Sequence, residues 1–160
     1  MSDMRKNTCC FIGHRTIKET EELKSELLFV IEKLVVEAGV DTFLFGSKSG
    51  FDFLCLQVVS DLKEKHPHIK RIYVRAEFPF INESYTEYLL NLYDDTFYPE
   101  KIIGAGKAVY VERNKIMIDN SSFCVIYCND DYRPAKRKSG AKMAVDYAVK
   151  QNKNVIRFSS

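Results

Sequence analysis

Short apolar runs alternate along this chain with longer stretches in which apolar residues recur at helical intervals. Thr8-Cys9-Cys10-Phe11-Ile12 is an almost unbroken apolar run stopped by Gly13, the pattern of a strand buried on both faces. Thr16 and Glu19 have the spacing of a capping box. Beyond them Leu23, Leu27, Val30, Ile31, Leu34, Val35 and Ala38 recur every three or four residues up to Gly39, which predicts a helix. Residues 42–45 (Thr-Phe-Leu-Phe) predict a second buried strand ended by Gly46, followed by a helix over 51–65 that Pro67 prevents from continuing. The same reading predicts strands at 71–74, 123–127 and 154–158, and helices at 84–93, 109–120 and 140–151. Residues 94–107 carry the least pattern. Phe97-Tyr98 and Ile102-Ile103 predict a short strand or edge segment there, and Gly104 and Gly106 a turn.

Strands separated by helix-length segments imply right-handed βαβ units. The fold class is therefore α/β: a single Rossmann-like domain over residues 1–160, with a mostly parallel sheet and helices on both faces. At 160 residues, 46% of them hydrophobic, the chain is long enough to bury such a core. The formal net charge of +2 argues against a chain governed by nucleic-acid or membrane electrostatics. No apolar run reaches bilayer length, and residues 1–7 lack the apolar segment of a secretory leader, so a cytoplasmic protein without a membrane partner is expected. The five cysteines, Cys9, Cys10, Cys55, Cys124 and Cys128, lie mostly inside apolar segments and read as reduced, buried thiols. Cys124 and Cys128, with His14, are a conceivable zinc set, but no second cysteine pair has ligand spacing. Neither a metal nor a resident cofactor is expected.

In open parallel sheets, ligands sit beyond the carboxyl ends of the strands, where free N–H groups of the next helix favour anions. Three such junctions carry glycine with polar groups. The first is Gly13-His14-Arg15-Thr16, where Arg15 has the fork geometry for a phosphate or carboxylate. The second is Gly46-Ser47-Lys48-Ser49-Gly50-Phe51-Asp52, a nest for a phosphate or ribose that is neither a Walker A loop nor a Gly-x-Gly-x-x-Gly fingerprint. Asp52 there either caps the following helix or holds a ribose hydroxyl. The third is Ser139-Gly140-Ala141, preceded by a loop with Arg133, Lys136, Arg137 and Lys138 that either covers an anionic ligand or is simply solvated. Tyr110, Arg113, Asn114 and Met117 share one helical face, and the two polar groups on that stripe need buried partners, a ligand or Asp52 among them. Pro79 lies in the loop after the third strand and completes the expected binding set.

Gly-His-Arg after the first strand, Gly-x-x-x-Gly-Phe-Asp after the second, Tyr110-x-x-Arg113-Asn114-x-x-Met117 and Ser139-Gly140-x-Lys142-x-Ala144-x-x-Tyr147-Ala148 together resemble the YpsA-like family of the SLOG superfamily. Their order and spacing match from about residue 8 to residue 158. The resemblance implies a Rossmann-like sheet that binds nucleotide-derived ligands, with relatives among the LOG phosphoribohydrolases, the DNA-processing protein A group and defence-system sensors. LOG enzymes end their phosphate loop in Gly-Gly-x-Gly-Thr-x-x-Glu. Gly140 aligns with the last glycine, Ala141 replaces the Thr, and Ala144 stands where the Glu acts, so the resemblance does not carry the hydrolase chemistry across.

Three functions follow, in order. The first is binding or sensing of a nucleotide-like small molecule. The second is cleavage or transfer at an N-glycosidic bond, for which Asp52, Glu77 and Glu112 are the candidate catalytic carboxylates. The third is single-stranded nucleic-acid binding, which only the basic loop at 133–138 supports. The aromatics Phe78, Phe80, Tyr85, Tyr88, Tyr93, Phe97 and Tyr98 are either core or a self-association surface of a homo-oligomer.

Overall fold

A computed structural model describes residues 4–129 and 138–159. Six strands form one parallel sheet: β1 (Thr8–Gly13), β2 (Thr42–Phe45), β3 (Lys70–Val74), β4 (Asp95–Phe97), β5 (Phe123–Tyr127) and β6 (Asn154–Phe158). Their order across the sheet is β4-β3-β2-β1-β5-β6. Five helices connect them: α1 (Glu21–Val36), α2 (Gly50–Lys65), α3 (Glu83–Leu92), α4 (Val109–Asp119) and α5 (Gly140–Lys150). The chain winds outward from β1 to β4, then returns to pair β5 with the other side of β1, where Cys10 lies opposite Cys124.

Side chains on β1 alternate between two cores. Cys9 and Phe11 face one side and pack with Leu27 and Ile31 of α1, Leu54 and Val58 of α2, and Leu89 of α3. Cys10 and Ile12 face the other side and pack with Met117 and Ile118 of α4 and Ala144, Val145 and Ala148 of α5. The expectation of helices on both faces holds, with three on one side and two on the other. Cys124 and Cys128 are fully buried among these apolar side chains. No helix among the described residues is long and apolar enough to cross a membrane.

Two local expectations are corrected. The first helix starts at Glu21, and its N-cap is Thr20, whose hydroxyl accepts from Leu23 N at 3.1 Å; Thr16 and Glu19 do not form the capping box. The reason is tertiary. The Arg15 carbonyl is held by the Gly50 N–H at 2.8 Å and Ile17 packs on the core, so the chain at 15–17 is tied to its neighbours and enters the helix only after Thr20. In the poorly patterned stretch the strand is Asp95–Phe97. Ile102 instead anchors a short 3-10 turn, Glu100–Ile102, by burying its side chain. Of the aromatic residues in this region Tyr93 is core, whereas Phe78, Phe80, Tyr88 and Phe97 are exposed.

Candidate functional site

The loops leaving β1 and β5 lead to helices on opposite faces of the sheet, and this divergence opens a crevice above the strand ends. A cleft of about 740 Å³ occupies it. Gly13, His14 and Arg15 line it from β1, Gly46, Ser47, Lys48, Ser49 and Asp52 from β2 and α2, and Ser139, Gly140 and Ala141 from the start of α5. Arg113, Asn114 and Tyr110 of α4 and Glu77 from the loop after β3 complete the ring. Residues from all three glycine-containing junctions, 128 positions apart at the extremes (from 13 to 141), thus share one hollow.

The β2–α2 loop is organised by Asp52, which is 3% exposed. Its Oδ2 accepts from Gly46 N at 3.3 Å and Ser47 N at 3.1 Å, and its Oδ1 accepts from the Ser49 hydroxyl at 3.1 Å. Asp52 is not the helix cap. That role belongs to Ser49, whose oxygen accepts from Asp52 N at 3.2 Å. Burial pushes the Asp52 carboxyl up to about 6, against the opposing pull of the Ser47 and Gly46 amides, the Arg113 charge and the Ser49 hydroxyl.

Arg113 is 6% exposed and donates from Nη1 to the Gly46 carbonyl, while its Nε donates to Asn114 Oδ1 at 3.1 Å. Burial lowers its pKa and the Asp52 charge raises it. Gly46 is therefore gripped on both sides, its N–H by Asp52 and its C=O by Arg113. A Cβ at this position would lie 2.6 Å from Met117 Sδ and 2.8 Å from Arg113 Nε. Only glycine lets α4 come this close to the strand end. Met117 and Arg113, four residues apart, form the stripe that the helical spacing predicts.

At the β1 end, His14 Nε2 accepts from Asn129 N at 2.9 Å, which joins the loop after β1 to the end of β5 and fixes the ring against Tyr127. Arg15 is exposed at the cleft. At α5 the Ser139 hydroxyl accepts from Lys142 N at 3.1 Å, and the first helical bond runs from Met143 N to Ser139 O at 3.0 Å. The Gly140 and Ala141 amides precede that bond, so they point out of the helix with its positive dipole end behind them. By contrast, α2 spends its first amides internally: Gly50 N on Arg15 O, Asp52 N on Ser49 Oγ and Phe53 N on Ser49 O. Of the two, α5 is the helix start open to a ligand.

The third wall comes from the loop after β3. Arg75 donates from Nε to Phe78 O at 3.0 Å, from Nη2 to Pro79 O at 3.3 Å and from Nη1 to Thr96 Oγ1 at 3.3 Å, so it braces the loop rather than offering its charge to the hollow. Glu77 on this loop accepts from the Tyr110 hydroxyl, a bond that raises the Tyr110 pKa. Lys48 lies over the rings of Tyr88 and Tyr85, at 4.5 and 5.4 Å from their centroids.

Four residues expected at the site stand away from it. Phe51 is fully buried, its ring 5.4 Å from that of Tyr127, and it fills the space beneath Gly13. Gly50 joins two loops through its bond to Arg15 O. Pro79 is exposed outside the cleft lining, with its carbonyl on Arg75. Glu112 pairs with Lys115 at 3.6 Å on the far side of α4. Of the basic loop, residues 133–137 lie outside the described residues; Lys138 pairs with Asp146 at 2.7 Å. The sequence reading named Lys48 within the β2 junction but missed Tyr73, Arg75, Ala76, Phe78 and Tyr85 as lining residues. For Arg75, Ala76 and Phe78 the position just beyond β3 was the available signal, since that strand end opens on the same side as that of β1.

The fold and the crevice define a Rossmann-like α/β protein with its cleft at the point where strand order reverses. A family model named YpsA, described as the YspA SLOG family, matches residues 14–159, and the chain belongs to that family. It is also 30% identical to the uncharacterized SPbeta prophage-derived protein YoqJ of Bacillus subtilis (strain 168), over 81% of each chain. Membership in the SLOG family and the α/β fold fit a nucleotide-related function.

Proposed function

We propose that the protein binds a nucleotide-derived small molecule, with its anionic group at the Arg15 side of the cleft and against the Gly140 and Ala141 amides. The observation that carries this reading is the meeting of the β1, β2 and β5 junctions around one hollow of about 740 Å³, a size suited to a small-molecule ligand. A guanidinium and an open helix start both favour a phosphate there. Asp52 and Arg113 serve this site by fixing the Gly46–Ser47 backbone that forms its floor.

Binding alone is the reading favoured over hydrolysis. Of the three carboxylates considered, Glu112 is remote and Asp52 holds the loop, which leaves Glu77. Buried Ala144 offers no acid or base on α5. The test is a thermal-shift and calorimetric titration with nucleoside monophosphates. Stabilisation that saturates with ligand supports the proposal, as mass action requires, and Arg15→Ala is expected to weaken it about tenfold or more. No stabilisation by any nucleotide removes it. Free base appearing on incubation with a nucleotide would instead promote the hydrolase reading.

A further inference from the structure

We infer that the end of the cleft at β3 reads the base of the ligand, and that it reads guanine. This rests on the nucleotide-binding reading above and specifies the ligand within it.

The two ends of the cleft differ in chemistry. At β1 and β5 stand Arg15 and the Gly140 and Ala141 amides, all positive or donating. At β3 stands Glu77, a carboxylate, among Phe78, Tyr85 and Tyr110; of the two cations nearby, Arg75 is turned onto the Phe78 and Pro79 carbonyls and Lys48 onto the Tyr85 and Tyr88 rings. A carboxylate in a hollow that otherwise favours anions repels a phosphate and must face donors instead. The surrounding rings suit a flat, aromatic group that stacks. Donors on the edge of an aromatic plane describe a nucleobase.

The spacing agrees. In the sheet, β3 and β5 are separated by β2 and β1. Three inter-strand steps of about 4.8 Å put their ends roughly 14 Å apart. Side chains from both ends reach inward and shorten that gap. A mononucleotide carries phosphate and base at opposite ends of one sugar and bridges such a gap.

The choice of base follows from donor geometry. Glu77 is exposed at the cleft and oriented at one oxygen: the Tyr110 hydroxyl donates to Oε1, while Arg75 holds the carbonyls of the next two residues. A carboxylate presents two acceptor oxygens side by side. Guanine offers two adjacent donors, N1–H and the N2 amino group, which match both oxygens. Adenine and cytosine each set an amino donor beside a ring-nitrogen acceptor, and uracil flanks one N–H with two carbonyls. Each of those would turn a lone pair toward a carboxylate oxygen.

The experiment compares GMP, IMP, AMP and UMP by calorimetry on the wild-type chain, Glu77→Gln and Tyr110→Phe. IMP lacks only the N2 amino group. GMP is expected to bind about tenfold or more tightly than IMP and AMP, in line with a good bidentate contact. Glu77→Gln is expected to remove that preference by weakening GMP while AMP and UMP bind at least as tightly as before, and Tyr110→Phe to reduce it. Equal binding of all four nucleotides, or a base preference unchanged in Glu77→Gln, overturns the guanine assignment and leaves the nucleotide site standing. Failure of all four to bind overturns both.

Discussion

Replacing Asp52 by Asn should change how stability depends on pH, by an amount the structure sets. Burial raises this carboxyl from its ordinary 3.8 to about 6. The folded chain therefore holds the Asp52 proton more tightly than the unfolded chain does. The stability that Asp52 contributes is fully present below about pH 4 and is lost as pH rises through 6. A shift of about two units corresponds to about 3 kcal/mol, at roughly 1.4 kcal/mol per unit. Asn keeps the shape and has no proton to lose. Its Oδ1 can accept from Gly46 and Ser47 and its Nδ2 can donate to Ser49, replacing the bonds that Asp52 makes. Urea unfolding of both proteins from pH 4.5 to 7.5 isolates the effect, because other titrating groups cancel in the difference. Wild type minus variant should fall by about 2 kcal/mol across that range, the rest of the shift being spent below pH 4.5. A flat or rising difference would refute the reasoning, since it would mean that the Gly46 and Ser47 amides and Arg113 outweigh burial.

Four other substitutions probe the frame around the cleft. Gly46→Ala should destabilise by about 1–3 kcal/mol in urea unfolding, because its Cβ would press on Met117 and Arg113. Gly140→Ala, with nothing within 4 Å of the added Cβ, should be neutral or slightly stabilising. Arg75→Ala should lower stability by about 1 kcal/mol and speed hydrogen exchange at residues 76–80, because three bracing bonds go. Unchanged exchange there would show that the loop holds itself. Tyr127→Phe should raise the unfolding free energy by about 1 kcal/mol, since the Tyr127 hydroxyl is buried without a hydrogen-bond partner among the described residues. A loss of stability would reveal a partner for that hydroxyl.

The sheet was largely legible from sequence because its strands are buried on both faces and so appear as unbroken apolar runs, as at 9–12 and 123–127. Edge strand β4 was harder to read. Three half-exposed residues carry no alternation, and the 3-10 turns beyond it have no helical period. The start of α1 was misplaced because a long-range bond, Gly50 to Arg15, overrides a sound local capping signal. Glycine with a polar neighbour at a strand end marked the junctions that line the cleft, and the shared face of Arg113 and Met117 was readable from their spacing. The role of Asp52 was not. Whether a carboxylate caps a helix, grips a loop or meets a ligand depends on which amides lie within hydrogen-bond reach of it, and spacing alone does not say. Phe51 was misread for a related reason: a residue next to a lining neighbour on a helix points elsewhere, here under Gly13.

The central claim is that the β1, β2 and β5 junctions form one ligand site, and backbone amide NMR tests it most directly. On titrating the isotope-labelled chain with GMP, saturating shifts are expected at Gly13–Arg15, Gly46–Lys48 and Gly140–Ala141 together, with a common dissociation constant. Shifts confined to the α1–β6 side of the molecule, or no shifts in any of the three groups, would contradict it.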